Sequence, residues 1–182
     1  MPLREILTHP DLRLKVQAQR VSIVDARVRR LLDDMAETMY GAPGVGLAAV
    51  QVGAPVRAIV IDVAGREEPS CLYQLVNPEI VEREGSILWD EGCLSVPGMN
   101  AEVERSGHVL VRALDKEGKQ IEVEAEGLLA VCLQHEMDHL DGVLFIDHLS
   151  RLERALLLRR YVNFLKERAE GTAEDAEEEA SA

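Results

Sequence analysis

The sequence predicts a single α+β domain, in which mixed or antiparallel sheets pack around a central helix and further helices stand at the N- and C-terminal ends. Three observations support this prediction. Strand-like patterns cluster in the middle of the chain, between helical patterns near both ends, which is typical of α+β domains. The length of 182 residues suits one domain with a substantial core. The apolar share of 47% is ordinary for a globular protein.

The first helix is predicted from Asp25 to Tyr40, because apolar residues recur there at helical spacing and Gly41 follows as a stop. The members of this apolar stripe are Val28, Leu31, Leu32, Met35 and Met39. The next stretch, GAPGVGLAAVQVGAP, is rich in glycine and alanine and is predicted to form a loop instead of a regular element.

Four strands are predicted in the middle of the chain. VRAIVID (56–62) and LYQLVNPEIVERE (72–84) have strand-like composition. HVLVRAL (108–114) and QIEVEAE (120–126) flank DKEGK, which predicts a hairpin with Gly118 in its turn. The second arm of this hairpin alternates apolar and acidic residues, as expected when one face of a sheet is buried.

Two helices are predicted after the strands. GLLAVCLQHEMDHLDG (127–142) indicates a buried helix that Gly142 ends. A last helix begins at Ser150, where Ser150 and Glu153 match a capping box. Residues 167–182 hold seven acids and one base with few apolar groups, so this segment is expected to be a disordered tail. The folded domain is therefore expected to cover residues 1–166.

The overall charge and composition exclude several classes of protein. A formal net charge of −13 disfavours binding to DNA. The N-terminal residues lack the apolar region of a signal peptide, and no apolar run approaches 18 residues, so no membrane span is expected. The three cysteines are Cys71, Cys93 and Cys132. An odd, sparse set of this kind is typical of reduced thiols, and we expect a cytoplasmic protein.

The stretch QHEMDHLDG contains a His-Glu-x-x-His motif on the predicted buried helix. His135 and His139 lie four residues apart, so their rings share one face and can bind one metal ion. Glu136 stands at the edge of that face, where it can exchange a proton. A buried helix with these side chains and no partner would leave several polar groups unsatisfied, which favours a metal.

The residues alone leave the third ligand open. Cys132 competes, but its separation from His139 corresponds to roughly 10 Å of helix rise, which one ion cannot bridge. The extended zincin pattern requires a histidine at position 145, which is Phe145. Cys93, in the turn-rich stretch WDEGCLSVPGMN, is equally compatible with a ligand and with a structural thiol. Weaker candidates are His9, His108 and His148.

Three stretches together resemble a known family. GVGLAAVQ (44–51), EGCLSVP (91–97) and QHEMDHLDG (134–142) are similar, in order and spacing, to the three signature motifs of the peptide deformylases. The resemblance covers about residues 2–165 and leaves out the acidic tail. It implies that residues 1–166 are a deformylase catalytic domain, with a metal held by Cys93, His135 and His139 and water in the fourth position.

The resemblance also implies the metal and the reaction. Ferrous iron is expected as the native ion; Zn²⁺, Ni²⁺ or Co²⁺ are expected as substitutes, since a thiolate and two imidazoles suit all four ions. The expected reaction is hydrolysis of the formyl group from N-formylmethionyl chains, with release of formate. Glu136 would move the proton, and the Gln51 side chain and the Leu94 backbone N–H would stabilise the developing oxyanion. The residues expected to contact substrate are Gly44, Gly46 and Arg105.

One departure and two alternatives accompany the resemblance. Relatives often have a basic or aromatic residue where this chain has Asn100, and Arg105 is expected to take over part of its role. Relatives can touch the ribosome through a C-terminal helix, which here is basic in patches, so transient ribosome contact by a monomer is expected. A zincin-like metallopeptidase is the alternative function, and a non-catalytic metal-stabilised module is a third.

Overall fold

The computed structural model describes residues 4–65 and 68–180, with side chains as far as Glu170. Within these residues the strands are β1 (Gly46–Ala48), β2 (Ala58–Ile61), β3 (Tyr73–Glu84), β4 (Ile87–Gly92), β5 (Asn100–Arg105), β6 (His108–Leu114) and β7 (Gln120–Glu126). The helices of more than one turn are α1 (Ala26–Gly41), α2 (Gly127–Leu140) and α3 (Arg151–Ala180). These elements confirm the predicted α+β class and its helices near both ends.

Local capping interactions explain where two of the helices begin. The Asp25 carboxylate accepts hydrogen bonds from the N–H groups of Arg27 and Val28 at the start of α1. At the start of α3, the N–H of Ser150 donates to the Glu153 carboxylate at 3.0 Å, and the N–H of Glu153 donates to the Ser150 hydroxyl at 3.3 Å. The capping box predicted for the last helix is therefore present.

Two antiparallel sheets form the β structure. A five-stranded sheet has the order β1-β2-β3-β6-β7, and β4 pairs with β5 in a separate two-stranded ribbon. The predicted hairpin is β6–β7, and its turn is stabilised by the Asp115 carboxylate, which accepts from the N–H groups of Glu117 and Lys119. Gly118 has a φ of +83°, a conformation that favours glycine at this point of the turn.

The sequence prediction missed three strands. β1 lies inside the stretch predicted to be a loop, and it pairs with β2 from Gly46 to Ala48. Leu47 and Ala48 are fully buried, so tertiary pairing outweighs the weak strand propensity of this glycine-rich segment. β4 and β5 flank the turn-rich stretch around Cys93, where the sequence predicted no strand. β2 is also shorter than the predicted strand 56–62.

Two hydrophobic clusters position the two parts of the chain that form the site. One cluster packs α2, through residues such as Leu133 and Leu140, onto the five-stranded sheet. The other joins Val96 and Met99, which follow Cys93 in the chain, to Tyr161 on α3. The histidines of α2 therefore lie between the large sheet and the segment that carries Cys93.

α3 continues to Ala180, through most of the segment 167–182 that the sequence predicts to be disordered. The side chains of residues 171–182 and the backbone of residues 181–182 lie outside the described part of the chain. The division into a domain over 1–166 and a disordered tail stays a prediction. Within residues 4–65 and 68–180, no helix combines the length and apolar character needed to cross a membrane.

Candidate active site

α2 and the end of β4 bring three potential metal ligands together. His135 and His139 lie one turn apart on α2, with ring centroids 4.9 Å apart. The Cys93 Sγ atom lies 3.3 Å from His139 Nε2. One ligand atom from each of the three residues lies within 4.8 Å of the other two, and no other group of three or more His, Cys, Asp or Glu residues in the described chain does so.

The ribbon β4–β5 places Cys93 at this point. The ribbon's last pair is Gly92 with Asn100, and the chain between them turns tightly as the N–H of Val96 donates to the Cys93 carbonyl at 2.9 Å. The N–H of Ser95 lies 3.4 Å from the Cys93 sulfur and points a donor at it. A donor of this kind stabilises a thiolate, which is the form of cysteine that binds metals.

A buried carboxylate fixes the orientation of His135. Glu91 lies two residues before Cys93, and its Oε2 accepts a hydrogen bond from His135 Nδ1 at 2.7 Å. In the neutral ring, this bond keeps the proton on Nδ1 and leaves His135 Nε2 as the lone-pair nitrogen that can bind a metal. Burial opposes the ionisation of Glu91, but hydrogen bonds from Arg105 and His135 outweigh it and lower its pKa to about 2.

Arg105 lies behind the site and does not line the cavity in front of it. Its Nε and Nη2 donate to the two Glu91 oxygens at 2.6 and 3.0 Å, and its Nη1 donates to Asp138 at 2.6 Å. Asp138 also bonds to His148, at 2.7 Å. The guanidinium is only 5% exposed. This placement does not support the predicted contact between Arg105 and substrate; Arg105 instead holds the carboxylate that orients His135.

Glu136 points an unpaired carboxyl oxygen into the site. The residue is 5% exposed, and its Oε2 has no hydrogen-bond partner within the described residues. Burial raises the pKa of Glu136 to about 7, the range in which a group can both take and return a proton. A buried polar atom without a partner is rare in a folded protein and indicates a place for a ligand.

Two glycines allow the β1 segment to approach these groups. A Cβ on Gly46 would lie 2.9 Å from Glu136 Cδ and closer still to its Oε1, so only glycine leaves the carboxyl group in place. A Cβ on Gly44 would lie 2.7 Å from the Leu94 side chain. Both glycines and Leu94 line the cavity, as the sequence predicted for residues near substrate.

Gln51 is held with its amide nitrogen toward Cys93. Its Oε1 accepts a hydrogen bond from the N–H of Ala48 at 2.7 Å, which identifies the opposite atom as the NH₂ group. That nitrogen lies 3.0 Å from Ser95 Oγ and 3.7 Å from Cys93 Sγ. Gln51 is 1% exposed, so its donor is fixed in direction before any ligand binds.

These residues surround a cavity of about 450 Å³. Its inner wall is apolar and is formed by Trp89, Leu128, Val131 and Cys132. Burial, with smaller contributions from the Glu136 and Glu91 carboxylates, raises the pKa of the Cys132 thiol to about 12. Cys132 is therefore protonated near neutral pH and does not offer a thiolate, in agreement with its place outside the ligand group.

The remaining histidine candidates have other neighbours. His9 packs against Tyr161 with the two rings tilted and their centroids 5.9 Å apart, and His108 lies 3.1 Å from Glu124 on the outer hairpin. His148 bonds to Asp138. Position 145, where the zincin pattern requires a histidine, is filled by the Phe145 ring, which stacks on His135 at 6.4 Å between centroids.

The arrangement fits a catalytic metal centre. One thiol and two imidazoles supply three ligands, which leaves a fourth position for water or substrate, as in catalytic sites. Burial lowers the pKa of His139 well below its usual value, which favours the neutral imidazole that binds metals. Glu136 stands beside these ligands with a free oxygen. The structure thus brings the three candidate ligands together with Glu136, Gln51 and Leu94, and it places Arg105 behind them. The roles of these residues stay predictions.

Comparison with known proteins agrees with this geometry. The family model described as polypeptide deformylase matches residues 3–155. The chain belongs to this family. A peptide deformylase of Mesorhizobium japonicum is 49% identical over 172 residues, which cover 94% of this chain and 98% of the relative. One of Alkalilimnicola ehrlichii is 50% identical over 169 residues, covering 92% and 93%.

Solved deformylase structures share the fold. That of Legionella pneumophila has a TM-score of 0.87 and 46% identity, covering 92% of this chain and 98% of its own. That of Ehrlichia chaffeensis, in complex with actinonin, has a TM-score of 0.83 and 40% identity, covering 88% and 96%. The peptide deformylase family is metal-dependent, and the cluster of Cys93, His135 and His139 is the candidate site for its metal here.

Sequence reasoning missed three residues of the site. Glu91, Ser95 and Asp138 all stand inside the deformylase-like motifs, yet no role was assigned to them. The roles of Glu91 and Asp138 depend on partners distant in the chain, such as Arg105 with Asp138, separated by 33 residues. The one available signal was that Glu91 is an acid two residues before Cys93 on a buried segment, where an unpaired charge is not tolerated.

Proposed function

We propose that this protein hydrolyses the formyl group from the N-terminal formylmethionine of newly made polypeptides and releases formate. Family membership supports the reaction, and one observation supports its place in the molecule. Glu136, whose buried Oε2 has no partner within the described residues, lines the same half-open cavity as Cys93 and His135. A proton carrier next to a metal-ligand cluster is the arrangement that metal-assisted hydrolysis requires.

The ligands proposed for the metal are Cys93, His135 and His139, and the proposed native ion is Fe²⁺, with Zn²⁺, Ni²⁺ or Co²⁺ as substitutes. A divalent cation, when bound, supplies a Lewis acid that activates water and polarises the formyl oxygen. The protein supplies the orientation. Glu91 sets the direction of His135, and the Ser95 N–H supports the Cys93 sulfur.

Glu136 is the proposed proton carrier. Its carboxylate takes a proton from the attacking water, which forms a C–O bond to the formyl carbon. When the C–N bond breaks, the same group returns the proton to the departing methionine amine, and formate leaves. A pKa of about 7 in the protein without metal suits both steps near neutral pH.

Gln51 and the Leu94 N–H are the proposed donors for the oxyanion that develops on the formyl oxygen. The hydrogen bond from Ala48 keeps the Gln51 amide nitrogen directed toward Cys93, so this donor needs little rearrangement during the reaction. Leu94 follows Cys93 directly in the cavity wall. Donors held in advance in a site with little water are among the strongest contributions to catalysis.

The apolar inner wall is the proposed pocket for the methionine side chain. Leu128, Val131 and Cys132 lie on the face of α2 that points into the cavity, and Trp89 closes it from β4. An unbranched thioether fills an irregular apolar space of this kind well. Gly44 and Gly46 are proposed to bring backbone groups within reach of the substrate's own backbone.

A cytoplasmic monomer that touches the ribosome briefly is also proposed, since formylated chains emerge there. Leu152 and Leu156 are exposed on α3, and the exposed Arg159 and Arg160 add positive charge nearby. Basic residues of this kind favour contact with ribosomal RNA. Because this attraction is electrostatic, binding should weaken with rising salt. The acidic residues after 166 oppose the contact, so binding should strengthen when residues 171–182 are deleted.

The deciding experiment is formate release from formyl-Met-Ala-Ser by protein purified without oxygen and loaded with Fe²⁺, Ni²⁺ or Zn²⁺. We expect one equivalent of formate per free methionine amine. Formate release should be fastest with Fe²⁺, and the activity of the Fe²⁺-loaded protein should be lost on exposure to air. A peptide without a formyl group, whose internal peptide bonds are open to cleavage, is the control for peptidase activity. Cleavage of that peptide without formate release would replace this proposal with the metallopeptidase alternative, which Phe145 in place of a histidine already disfavours.

A further inference from the structure

The segment Pro97–Asn100 forms one wall of the cavity and rests on α3. Gly98 lines the cavity and has a φ of +76°. On its other side lies the ring of Phe164. A Cβ on Gly98 would come within 2.8 Å of Phe164 Cε2 and Cζ, so the ring is already in contact with the glycine backbone. The wall is therefore enclosed between the cavity and the helix.

The contact belongs to a larger attachment of the wall to α3. Met99, which is 6% exposed, packs in the same cluster as Leu157 and Tyr161. These two residues and Phe164 follow each other at spacings of four and three, so they form one face of α3. The Tyr161 hydroxyl also donates to the His9 carbonyl at 3.0 Å. The face of α3 toward the wall is thus anchored, while Phe164 is its last member before the acidic segment.

The wall lies at the mouth of the cavity. Gly98 and Asn100 are exposed, whereas Val131 and Cys132 on the apolar inner wall, the proposed methionine pocket, are buried. A formylmethionyl chain with its side chain against α2 must leave through the exposed end. The residues after methionine reach this exposed rim, which Gly98 and Asn100 share with Pro43 and Val45 of the opposite side, and the methionine itself does not.

We propose that Phe164 is a positioning residue for the part of the substrate that follows methionine. This inference rests on the proposed deformylase function. The ring holds Gly98 in its left-handed conformation and prevents the wall from moving outward toward α3. Without the ring, the wall gains freedom that a longer substrate must restrict on binding, at a cost in affinity.

The test compares two substrates in the intact iron-loaded protein. N-formylmethioninamide ends before the wall, and formyl-Met-Ala-Ser reaches it. For Phe164→Ala we expect KM for the tripeptide to rise about tenfold, with kcat for both substrates and KM for the amide within about twofold of the wild type. Val162→Ala, at an exposed position of the same helix, is the control and should change neither KM. Phe164→Leu, which keeps an apolar group, should give an intermediate KM.

Equal losses on both substrates would show a general structural role and overturn the inference, as would a tripeptide KM equal to that of Val162→Ala. If the wild type released no formate from either substrate, both the proposed deformylase function and this inference would fail. If the wild type is active and only the Phe164 effects are absent, this inference alone fails.

Gly98→Ala provides a second, independent test. In the wild-type background the new methyl group clashes with the Phe164 ring. In the Phe164→Ala background the ring is absent, so this clash does not occur. The two substitutions should therefore be non-additive, with Gly98→Ala raising the tripeptide KM by a smaller factor in the second background. Identical factors in the two backgrounds would exclude the contact as the cause.

Discussion

Behind His135, toward Arg105, the charged groups are paired by short hydrogen bonds, whereas in front of it, toward the cavity, one carboxyl oxygen of the described residues has no partner. The Glu91 carboxylate receives Arg105 and His135, and Arg105 also binds Asp138. In front, Glu136 Oε2 has no partner within the described residues. Both sides are buried, so the difference is not one of solvent access.

The difference separates two roles. The paired groups behind His135 fix its direction and contribute to stability, whereas an unpaired buried oxygen is costly unless a ligand or reaction uses it. Substitutions in front should therefore reduce turnover with little effect on metal content or folding. Substitutions behind should reduce metal affinity and stability, and turnover only through them.

The largest effect on turnover is expected for Glu136→Ala. Loss of the proton carrier should lower kcat by a factor on the order of 10²–10⁴, while the protein still binds one metal ion per chain. Formate release and metal analysis on the same preparation check this. Glu102→Gln, an exposed acid on β5, is the matched control and should retain full activity. Wild-type turnover by Glu136→Ala would remove Glu136 from the mechanism.

The next effect in size is expected for Gln51→Ala. Removal of one oxyanion donor typically lowers kcat by about 10²–10³. Gln74→Ala is the control, since the Gln74 amide donates to Asp33 away from the site. Because the donor acts mainly in the transition state, KM should change much less than kcat. A rise in KM alone would indicate that Gln51 binds the ground state and does not stabilise the oxyanion.

Gly46→Ala should affect turnover through geometry alone. The new methyl group would displace the Glu136 carboxyl group, and a misplacement of about 1 Å can cost on the order of 10² in rate. Gly107→Ala is the control, because a Cβ there meets only backbone atoms at 3.9 Å or more. Metal content should not change in either variant. Full activity of Gly46→Ala would mean that the carboxyl group can act from a different position.

On the opposite side, Arg105→Met should act on stability and metal affinity. It leaves the buried Glu91 charge without its main partner, which typically costs about 3–5 kcal/mol of unfolding free energy. Weaker orientation of His135 should lower metal affinity by about 10–100-fold. Arg112→Met is the control, since its ion pair with Glu122 is about half exposed and contributes only about 0–1 kcal/mol. Urea unfolding and metal titration separate the two effects.

The contrast between the two sides also explains what the sequence could predict. The hairpin β6–β7 was predicted at its observed bounds, and α1 and α3 were each predicted to within one residue at their first residue, because periodicity and caps are local signals. The ligands and the residues in front of them lie in three short motifs, and the resemblance to a family located them. The contact between Arg105 and substrate, in contrast, was predicted from a departure in the motif, and the structure does not support it.

The missed features depend on pairing between separate segments, which no local pattern indicates. β1 is a strand only because β2 lies beside it, and the ribbon β4–β5 forms across the turn that carries Cys93. The same holds for Glu91, whose role needs a guanidinium 14 residues away and an imidazole 44 residues away. Neither separation corresponds to a helix or strand period, so no pattern in one sequence indicates it.

The smallest predicted effect concerns pH. In the metal-free protein, the difference in unfolding free energy between the wild type and Arg105→Met should depend on pH. The folded-state pKa of Glu91 is about 2, below its usual value of 4.5, so its pairing stabilises the fold fully above about pH 4.5. That stabilisation is lost as pH falls toward the folded pKa, because the unfolded chain takes up the proton first. The gap in unfolding free energy between wild type and Arg105→Met should therefore narrow from about pH 6 to about pH 3. If the difference in unfolding free energy stayed constant over this range, Arg105 would stabilise the region behind His135 by packing and not by charge.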